Sequence, residues 1–305
     1  MEETVITSLP RRKRFSLGSL FTKKDIPFAI GCPALVWHSL FFYLPLLIMI
    51  LSSVFDLSES GSFQGFTLKH FLAVQNVAHF RIIFKSIGIA FLTAILCFVI
   101  AFPCAYFLAF KGGRYKTLLL FFLIVPFWTN FLLHVCAWFF VLERNGFLNN
   151  LLLSLNLIGE PIHFLNSFFA IILMMVYHYL LFMILPIYSS LEKFNLFLFE
   201  ASSDLGATKL QTFKRILLPL TLPAIRLGFL LVYIPAFGEF VIPELMGGDK
   251  AYYAGNVVSQ YVLGNYTAPL GAAFTLMGAC ILMVSIGLLL WIFKRISKSL
   301  GGLSV

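Results

Sequence analysis

The sequence predicts an all-α membrane protein with six transmembrane helices. The first observation behind this prediction is composition: 60% of the 305 residues are hydrophobic, 11% are charged, and the mean hydropathy is +0.94. A soluble domain of this composition would leave more apolar surface than water tolerates, so a lipid bilayer is the expected solvent. The second observation is a series of long charge-free stretches, each of which is long enough for a membrane-crossing helix.

Four of the six helices follow directly from the charge-free stretches. These stretches cover residues 26–55, 86–110, 117–142 and 161–191, and they contain 30, 25, 26 and 31 residues without Lys, Arg, Asp or Glu. A helix needs about 20 such residues to cross the hydrocarbon of a bilayer. The first stretch is too long for the core of a secretory signal and lacks a small-residue cleavage pattern. It therefore predicts an uncleaved first span behind a basic arm at 1–25.

The fifth and sixth helices are less uniform. Residues 223–245 predict a fifth span in which Glu239 lies well inside the apolar run. Three residues interrupt this predicted helix: Pro235, Gly238 and Pro243. Residues 270–293 predict a sixth span, which ends at the basic pair Lys294 and Arg295.

The distribution of basic residues predicts how these spans are oriented. With six spans, sixteen of the 22 Lys and Arg residues fall on the side of the two termini, and five fall on the other side. Because Lys and Arg accumulate in cytoplasmic loops, both termini are predicted to be cytoplasmic, including the tail at 294–305. The same distribution explains the net charge of +9 without a nucleic-acid partner, since the basic residues flank apolar spans and form no separate domain.

The five cysteines predict neither a disulfide nor a metal site. Their number is odd, they form no CxxC pair, and all of them lie inside apolar stretches: Cys32, Cys97, Cys104, Cys136 and Cys280. We expect them to act as small buried hydrophobic side chains.

The longest cytoplasmic connection, residues 192–224, has the features of two short helices. Residues 200–205 are compatible with a helix, and Gly206 can adopt the left-handed conformation that ends one. A second helix fits residues 208–217, with Thr208 as its cap. The loop is therefore predicted to form a pair of helices at the membrane surface.

The second of these helices has one apolar face, formed by Leu210, Phe213 and Leu217. Its basic residues, Lys209, Lys214 and Arg215, are predicted to lie on other faces of the helix. Pro219 and Pro223 follow it, and we expect them to end the helix and return the chain to the bilayer.

The segment EASSDLGATKLQTFKRILLP at 200–219 resembles the EAA signature of permease subunits of binding-protein-dependent ABC importers. The signature reads EAA-x3-G-x9-I-x-LP, and six of its positions match with the right spacing: Glu200, Ala201, Gly206, Ile216, Leu218 and Pro219. Ser202 replaces the alanine that is usual at the third position, a small-for-small change that we expect to preserve docking and to alter local packing. The resemblance implies the six-span fold of a type I ABC importer permease, the MetI-like fold.

In that family this loop contains the coupling helix, which lies in a cleft of a separate cytoplasmic ATPase. The resemblance implies that Glu200, Ala201 and Gly206 transmit ATP-driven closure of an ATPase dimer to the spans. The chain itself has no G-x-x-x-x-G-K-[ST] phosphate loop, and GGDK at 247–250 is not one. We therefore expect no enzymatic activity and no cofactor in this chain, with ATP and Mg²⁺ bound by the partner.

Five further stretches, within residues 80–293, resemble permease subunits of spermidine/putrescine importers: VPFWTNFL, NGFLNNLLL, LPIYSSLEK, DLGATKLQTF and IPAFGEFVIPELMGG. This resemblance implies a polyamine importer subunit in a bacterial inner membrane, with 80–293 as the permease domain. It also implies a second, homologous permease subunit that completes a heterodimer. A periplasmic polyamine-binding protein would deliver the cargo.

Intramembrane side chains give an independent indication of a cationic cargo. A carboxylate inside a transmembrane helix costs about 2.5–3.5 kcal/mol, so Glu239 is expected to face a polar path or a partner. Deprotonated Glu239 would attract a polycation, and nearby aromatic rings would supply cation–π contacts to alkylammonium groups: Trp128, Tyr177, Tyr179 and Tyr233. The alternative is that Glu239 lies near the headgroups and contributes only to folding, and that the aromatic rings pack against lipid.

Two other classes of function fit parts of the sequence. A secondary cation transporter or channel would use Glu239 as its ion site, but it leaves the EAA spacing unexplained. A membrane enzyme would need His134 with Glu143, or His178 with Glu192. Both pairs are more than two helical turns apart and have no recognisable nucleophile or metal-ligand spacing. The importer subunit accounts for more of the sequence than either alternative.

Overall fold

The computed structural model is mostly helical, which confirms the predicted all-α class. It describes four ranges of the chain: 26–57, 63–248, 251–264 and 268–299. The basic arm and the end of the tail, at 1–25 and 300–305, lie outside the described residues. The chain divides into two compact units, 1–52 and 53–305.

In the first unit, the described residues from 26 onwards form one apolar helical segment. It consists of α1 (Ile26–His38), a π turn (Ser39–Tyr43) and α2 (Leu44–Val54), the last of which extends two residues past the unit boundary. Nearly all its described side chains between 32 and 51 are exposed. An apolar helix with an exposed surface is expected where lipid is the solvent, which agrees with the predicted first span.

The second unit begins with a short antiparallel hairpin, β1 (Phe55–Leu57) and β2 (Phe63–Phe66). Among the described residues this hairpin is the one departure from an all-α structure. The helices follow in chain order as α3 (Lys69–Val74), α4 (Val77–Phe110), α5 (Lys116–Ile124), α6 (Phe131–Leu142), α7 (Phe147–Ser154), α8 (Phe168–Glu192), α9 (Phe197–Asp204), α10 (Lys209–Thr212), α11 (Leu218–Phe237), α12 (Val241–Gly247), α13 (Ala254–Leu263) and α14 (Ala268–Ser299).

Six helical segments of the described chain are long and apolar enough to cross a membrane, the number that the sequence predicts. They are Gly31–Val54, Val77–Phe110, Phe131–Ser154, Phe168–Glu192, Lys209–Phe237 and Ala268–Ser299. The third and fifth segments differ in position from the predicted spans.

The predicted third span, 117–142, is interrupted rather than continuous. A short 3-10 turn, Val125–Trp128, follows α5, and Thr129 is extended. Pro126 has no N–H to donate, which weakens a helix at this point. The Asn130 side chain then accepts from the Leu132 N–H at 2.8 Å and caps the start of α6. The apolar segment that is long enough to span therefore begins at Phe131.

The predicted fifth span, 223–245, is displaced towards the N-terminus. Pro219 and Pro223 do not end a helix, because α11 contains both of them and follows the preceding π turn without interruption. Pro219 has no N–H to donate to the preceding turn of the helix. The π turn at Phe213–Leu217, in which hydrogen bonds reach five residues back instead of four, lies next to this missing donor. Pro235 also lies inside α11, and the helix instead ends at Phe237.

Helices α4, α8 and α11 form the core of the second unit. Four buried alanines along α4 allow close helix packing: Ala90, Ala94, Ala101 and Ala105. The Thr93 hydroxyl donates to the Met175 sulfur at 3.8 Å, and the Cys97 thiol donates to the Val176 carbonyl at 3.7 Å. Helix α4 is thereby joined to the part of α8 just before Tyr177.

The cysteines only partly match the expectation. Cys97 is buried, but the other four are exposed: Cys32, Cys104, Cys136 and Cys280. Their apolar neighbours on the helix surfaces are exposed as well. The prediction of burial is therefore wrong for these four, because an apolar helix in lipid has no need to turn its small apolar residues inward.

Candidate coupling loop and helix break

The first candidate site is the coupling loop, defined here as residues 192–224. Its first helix, α9, carries Glu200 and Ala201 of the signature, and both residues are exposed. Ser202 follows them and is only 5% exposed. The first two positions of the signature are thus accessible to a partner, while the third faces the loop interior.

Gly206 ends α9 as the sequence predicts. Its N–H donates to the Ser203 carbonyl at 2.9 Å, and the Ala207 N–H donates to the Ser202 carbonyl at 3.0 Å. This pair of bonds requires a left-handed residue at the turn, and Gly206 has a φ of +76°. A side chain is disfavoured at this φ, so glycine fixes the angle between the two helices.

The second helix, α10, begins with a reciprocal cap. The Gln211 N–H donates to the Thr208 hydroxyl at 3.4 Å, and the Thr208 N–H donates to the Gln211 side-chain oxygen at 2.8 Å. The predicted cap is confirmed. The predicted apolar face holds for Leu217, which is buried, and for half-buried Phe213, but Leu210 is exposed. The π turn after α10 shifts the helix face, so the three residues no longer align.

Ser202 connects the two helices of the loop. Its hydroxyl lies 2.9 Å from the Thr212 hydroxyl and also donates to the Phe199 carbonyl at 2.9 Å. The departure from the usual alanine therefore adds a hydrogen bond between α9 and α10. Sequence reasoning did not identify Thr212 as the partner.

The remaining signature residues lie where the coupling loop enters the fifth span. Ile216 is in the π turn, and Leu218 and Pro219 are the first two residues of α11. All three are half-buried. The signature therefore ends at the start of α11, which packs in the core.

A charged pair joins the beginning of the loop to α5. The Lys116 ammonium donates to Glu192 at 2.6 Å and lies 5.3 Å from the centre of the Tyr188 ring. This hydrogen bond to the carboxylate raises the pKa of Lys116. The pair is solvent-accessible and is therefore a weak restraint rather than a major source of stability.

The second candidate site is the helix break, defined here as residues 238–240, between α11 and α12. Glu239 lies in this break and not inside a helix as predicted. One carboxylate oxygen accepts from the N–H groups of Val241 and Ile242, at 3.1 and 3.4 Å, and the other accepts from the Tyr179 hydroxyl at 2.9 Å. Three donors thus hold the half-buried carboxyl group of Glu239 at the start of α12.

Residues at the start of α13 contact the backbone of the break. A Cβ atom on Gly255 would lie 2.5 Å from the Gly238 carbonyl oxygen and 2.8 Å from that of Glu239, so only glycine allows this approach. The Asn256 side chain donates to the Phe240 carbonyl at 3.2 Å. These supporting residues are separated from the break in sequence, and no local pattern reveals them.

The aromatic residues predicted near Glu239 lie in different surroundings. Tyr179 contacts Glu239 directly. Tyr233 is buried, and its hydroxyl lies 2.8 Å from that of Ser285 in α14. Trp128 is 80% exposed at the end of the turn before α6. Tyr177 packs edge-on against His134, with ring centres 5.7 Å apart. The structure therefore groups Tyr179 with Glu239 and places Tyr177 with the residues of the third span.

A cavity of about 210 Å³ lies between the interrupted third span and α8. Its walls are mostly apolar, and its polar residues are Thr129, His134, Tyr177 and His178. The Thr129 hydroxyl lies 2.6 Å from the His134 ring nitrogen, and the His178 ring stacks on Phe127 at 5.8 Å. Both histidines thus have packing partners in the walls of this cavity.

Comparison with known proteins identifies similar chains. Residues 101–301 match the family described as binding-protein-dependent transport system inner membrane component. The spermidine/putrescine transport system permease protein PotB of Escherichia coli (strain K12) is 40% identical over 266 residues, which are 87% of this chain and 95% of that protein. PotB of Haemophilus influenzae is 35% identical over 270 residues, 88% of this chain and 93% of that protein.

Solved structures show the same fold. A bacterial ABC transporter involved in the import of the acidic polysaccharide alginate contains a chain with a TM-score of 0.72 and 18% identity, which covers 90% of this chain and 96% of that chain. The same transporter type, in complex with an alginate pentasaccharide-bound periplasmic protein, gives a TM-score of 0.70 at 19% identity, with the same coverage. The predicted six-span importer-permease fold is confirmed, and the side on which the termini lie stays a prediction.

Proposed function

The chain belongs to the family of binding-protein-dependent transport system inner membrane components, and on this premise we propose that it is the permease subunit of an ATP-driven polyamine importer. It is a multi-pass inner membrane protein and a transport component. Spermidine and putrescine are the proposed cargo, because the PotB relatives are named for these polyamines. In this proposal both termini and the coupling loop are cytoplasmic, in agreement with the bias of basic residues.

The exposed coupling loop is the observation that carries this proposal. It keeps the signature spacing, and it presents Glu200 and Ala201 to the surroundings. The same loop exposes six large apolar side chains, of which the most exposed are Phe197 (73%), Leu205 (88%) and Leu210 (61%). Apolar side chains exposed beside polar ones favour burial against another protein. The proposed partner is a cytoplasmic ATPase dimer that binds ATP and Mg²⁺, so that this chain hydrolyses nothing itself.

Two further partners complete the proposed importer. A second, homologous permease subunit would pair with this chain, as a heterodimer, and enclose the path. A periplasmic polyamine-binding protein would deliver the cargo, which is supported by the family description and by the alginate importer in complex with its periplasmic protein. The exposed apolar surface of the spans would be shared between lipid and the second permease.

The helix break at 238–240 supports a cationic cargo. The Glu239 carboxylate accepts three hydrogen bonds and keeps one free lone pair, on the oxygen that accepts from Tyr179, so it can still bind an ammonium group. Tyr177 and Trp128 offer aromatic rings to alkylammonium groups, whereas buried Tyr233 contributes through its packing. We therefore place the strongest interaction with the cargo at Glu239.

The alternative, a secondary cation transporter or channel built on Glu239, is not favoured. Such a protein needs no ATPase, and it gives the exposed coupling loop no role. The relatives are named as permease proteins of transport systems, including an inner membrane ABC transporter permease of Escherichia coli that is 30% identical over 262 residues.

The test is reconstitution of the complete complex. The chain is purified with the second permease and the ATPase, placed in proteoliposomes, and supplied with binding protein and labelled spermidine. We expect uptake that requires ATP and is abolished when the phosphate-loop lysine of the ATPase is replaced by alanine. Uptake that persists with the inactive ATPase would reject the importer and favour the secondary transporter.

A further inference from the structure

The first helix of the coupling loop depends on contacts with the rest of the chain. Helix α9 has eight residues, and a helix this short is not stable alone in water. Helix α10, in contrast, continues through the π turn into α11. The position of α9 is therefore set by the side chains that attach the loop to the membrane-spanning helices. Most of these side chains are phenylalanines.

The first attachment is at Phe110, the last residue of α4. Its ring meets the edge of Phe194 at 6.2 Å and of Phe199 at 5.7 Å, with interplanar angles of 88° and 77°. The rings of Phe194 and Phe199 lie 4.9 Å apart. Edge-to-face rings at these distances attract each other beyond simple area burial. One end of α4 thus holds both the start of the loop and α9.

The second attachment lies two turns earlier on α4. Phe102 is buried and meets the edge of Phe213, just after α10, at 5.5 Å. The hydrogen bond between Ser202 and Thr212 ties α10 to α9. The loop is therefore attached to α4 at two aromatic points and is cross-linked within itself.

Between the two attachments the coupling loop does not pack against α4. A groove of about 520 Å³ lies there, and Pro103, Tyr106, Ser203 and Lys209 are among the residues that line it. Because little packing exists between the attachments, a displacement of the loop reaches α4 mainly through the aromatic rings.

Helix α4 leads from these rings towards the helix break. Thr93 and Cys97 hold α8 through Met175 and Val176. One turn further along α8, Tyr179 donates to Glu239. A contiguous set of packed elements therefore joins the coupling loop to the carboxylate.

We propose that Phe110 is a positioning residue that transfers the movement of the coupling loop to α4 through Phe194 and Phe199. This inference rests on the proposed function, because it needs a partner that moves the loop. It adds that the force enters the spans at α4, and not only along the chain into α11. Loss of the Phe110 ring should uncouple ATP hydrolysis from transport while assembly is retained.

The test uses the reconstituted complex with Phe110→Ala and, because alanine also removes apolar volume, Phe110→Leu. Phe107→Ala is the matched control, since Phe107 lies on the same end of α4 but is 53% exposed. Co-purification of the ATPase, the ATP hydrolysis rate and polyamine transported per ATP are measured. Transport per ATP should fall about three- to tenfold in both Phe110 variants, the loss expected from one or two aromatic contacts. It should stay unchanged in Phe107→Ala.

A second measurement separates positioning from general stability. If the rings act as one unit, Phe110→Leu combined with Phe199→Leu should lose no more transport per ATP than either change alone. Unchanged transport per ATP in Phe110→Leu, or an equal fall in hydrolysis and transport, would overturn the proposal. A wild-type complex that transports without the ATPase would instead reject the proposed function itself, so the two failures are distinguishable.

Discussion

The hydroxyl groups of Ser202 and Thr212 lie 2.9 Å apart and connect the two helices of the coupling loop. Both residues are buried, and each hydroxyl also lies within hydrogen-bond distance of a carbonyl of the preceding helical turn, Phe199 for Ser202 and Thr208 for Thr212. Because each hydroxyl has one proton, one of the two donates to the other while its partner donates to its own carbonyl. A hydrogen bond is directional, so the pair restricts the angle between α9 and α10 more than two methyl groups would. The serine at the third signature position therefore helps to fix the angle between the two helices of the loop.

Ser202→Ala should weaken the loop slightly without preventing docking. The change removes the bond between the helices, but Thr212 keeps its bond to the Thr208 carbonyl, so no buried hydroxyl loses every partner. A net loss of about 1 kcal/mol is expected, which thermal unfolding of the purified complex would detect. Ser203→Ala is the control, because Ser203 is exposed. Loss of ATPase co-purification in Ser202→Ala would contradict this expectation.

Gly206 should tolerate side chains according to how well they adopt a left-handed backbone. A Cβ atom at this position meets nothing within 4 Å, so the cost is conformational and not steric. Asparagine tolerates the conformation, whereas other residues lose about 1–2 kcal/mol. Transport rates should therefore fall in the order Gly, Asn, Val, and Gly206→Pro should lower transport with membrane insertion intact. Equal rates for the asparagine and valine variants would contradict the proposed role of the turn.

Glu200→Lys tests the exposed face of α9. Glu200 is on the first turn of that helix, where a negative charge is favourable and a positive one is not. The substitution reverses the charge presented to the ATPase, so we expect weaker ATPase binding and lower transport with normal membrane insertion. Glu160→Lys is a control, because it makes the same change in another connection between spans. A normal amount of bound ATPase in Glu200→Lys would exclude a docking role for this carboxylate.

The coupling loop could be predicted from the sequence because local signals determine it. The Thr208 cap and the left-handed Gly206 need only neighbouring residues to act, and the structure has both. Leu210 shows the limit of this reasoning, since the π turn after α10 changes the face on which it lies. No residue pattern within the loop predicts that turn.

The helix break could be placed only in part from the sequence, because distant residues determine it. Of the three predicted interruptions of the fifth span, Pro235 and Pro243 lie inside α11 and α12, and the chain breaks at Gly238 alone. The position of the break follows from its contacts with α13 and α8, which involve Gly255 and Tyr179. Hydropathy therefore predicts the number of spans correctly but misplaces the ends of the fifth span.

Gly255→Ala should destabilise the permease by forcing α13 away from the break. The added methyl group would lie 2.5 Å from the Gly238 carbonyl oxygen, and a backbone atom cannot move aside as a flexible side chain can. Overpacking of this kind costs about 1–3 kcal/mol, seen as a lower unfolding temperature. Gly287→Ala in α14 is the matched control, because nothing lies within 4 Å of its added Cβ. Equal unfolding temperatures for the two variants would show that α13 does not fix the break.

Glu239→Gln separates the charge of Glu239 from its role as a helix cap. Glutamine keeps an oxygen that accepts from the Val241 and Ile242 N–H groups, but it carries no charge to attract an ammonium group. A hydrogen bond to a charged group contributes about 1.5–3 kcal/mol, so polyamine-stimulated ATP hydrolysis should fall about tenfold or more in the assembled complex.

Tyr179→Phe is the control for this change, because it removes the hydroxyl donor and leaves the charge of Glu239 in place. We expect it to lower the stimulation less than Glu239→Gln does. The reason is that the carboxylate keeps two backbone donors and its attraction for a cation. Unchanged stimulation in Glu239→Gln, with a normal unfolding temperature, would assign Glu239 to the start of α12 alone. The cation path would then have to be sought among the aromatic residues at Tyr177 and Trp128.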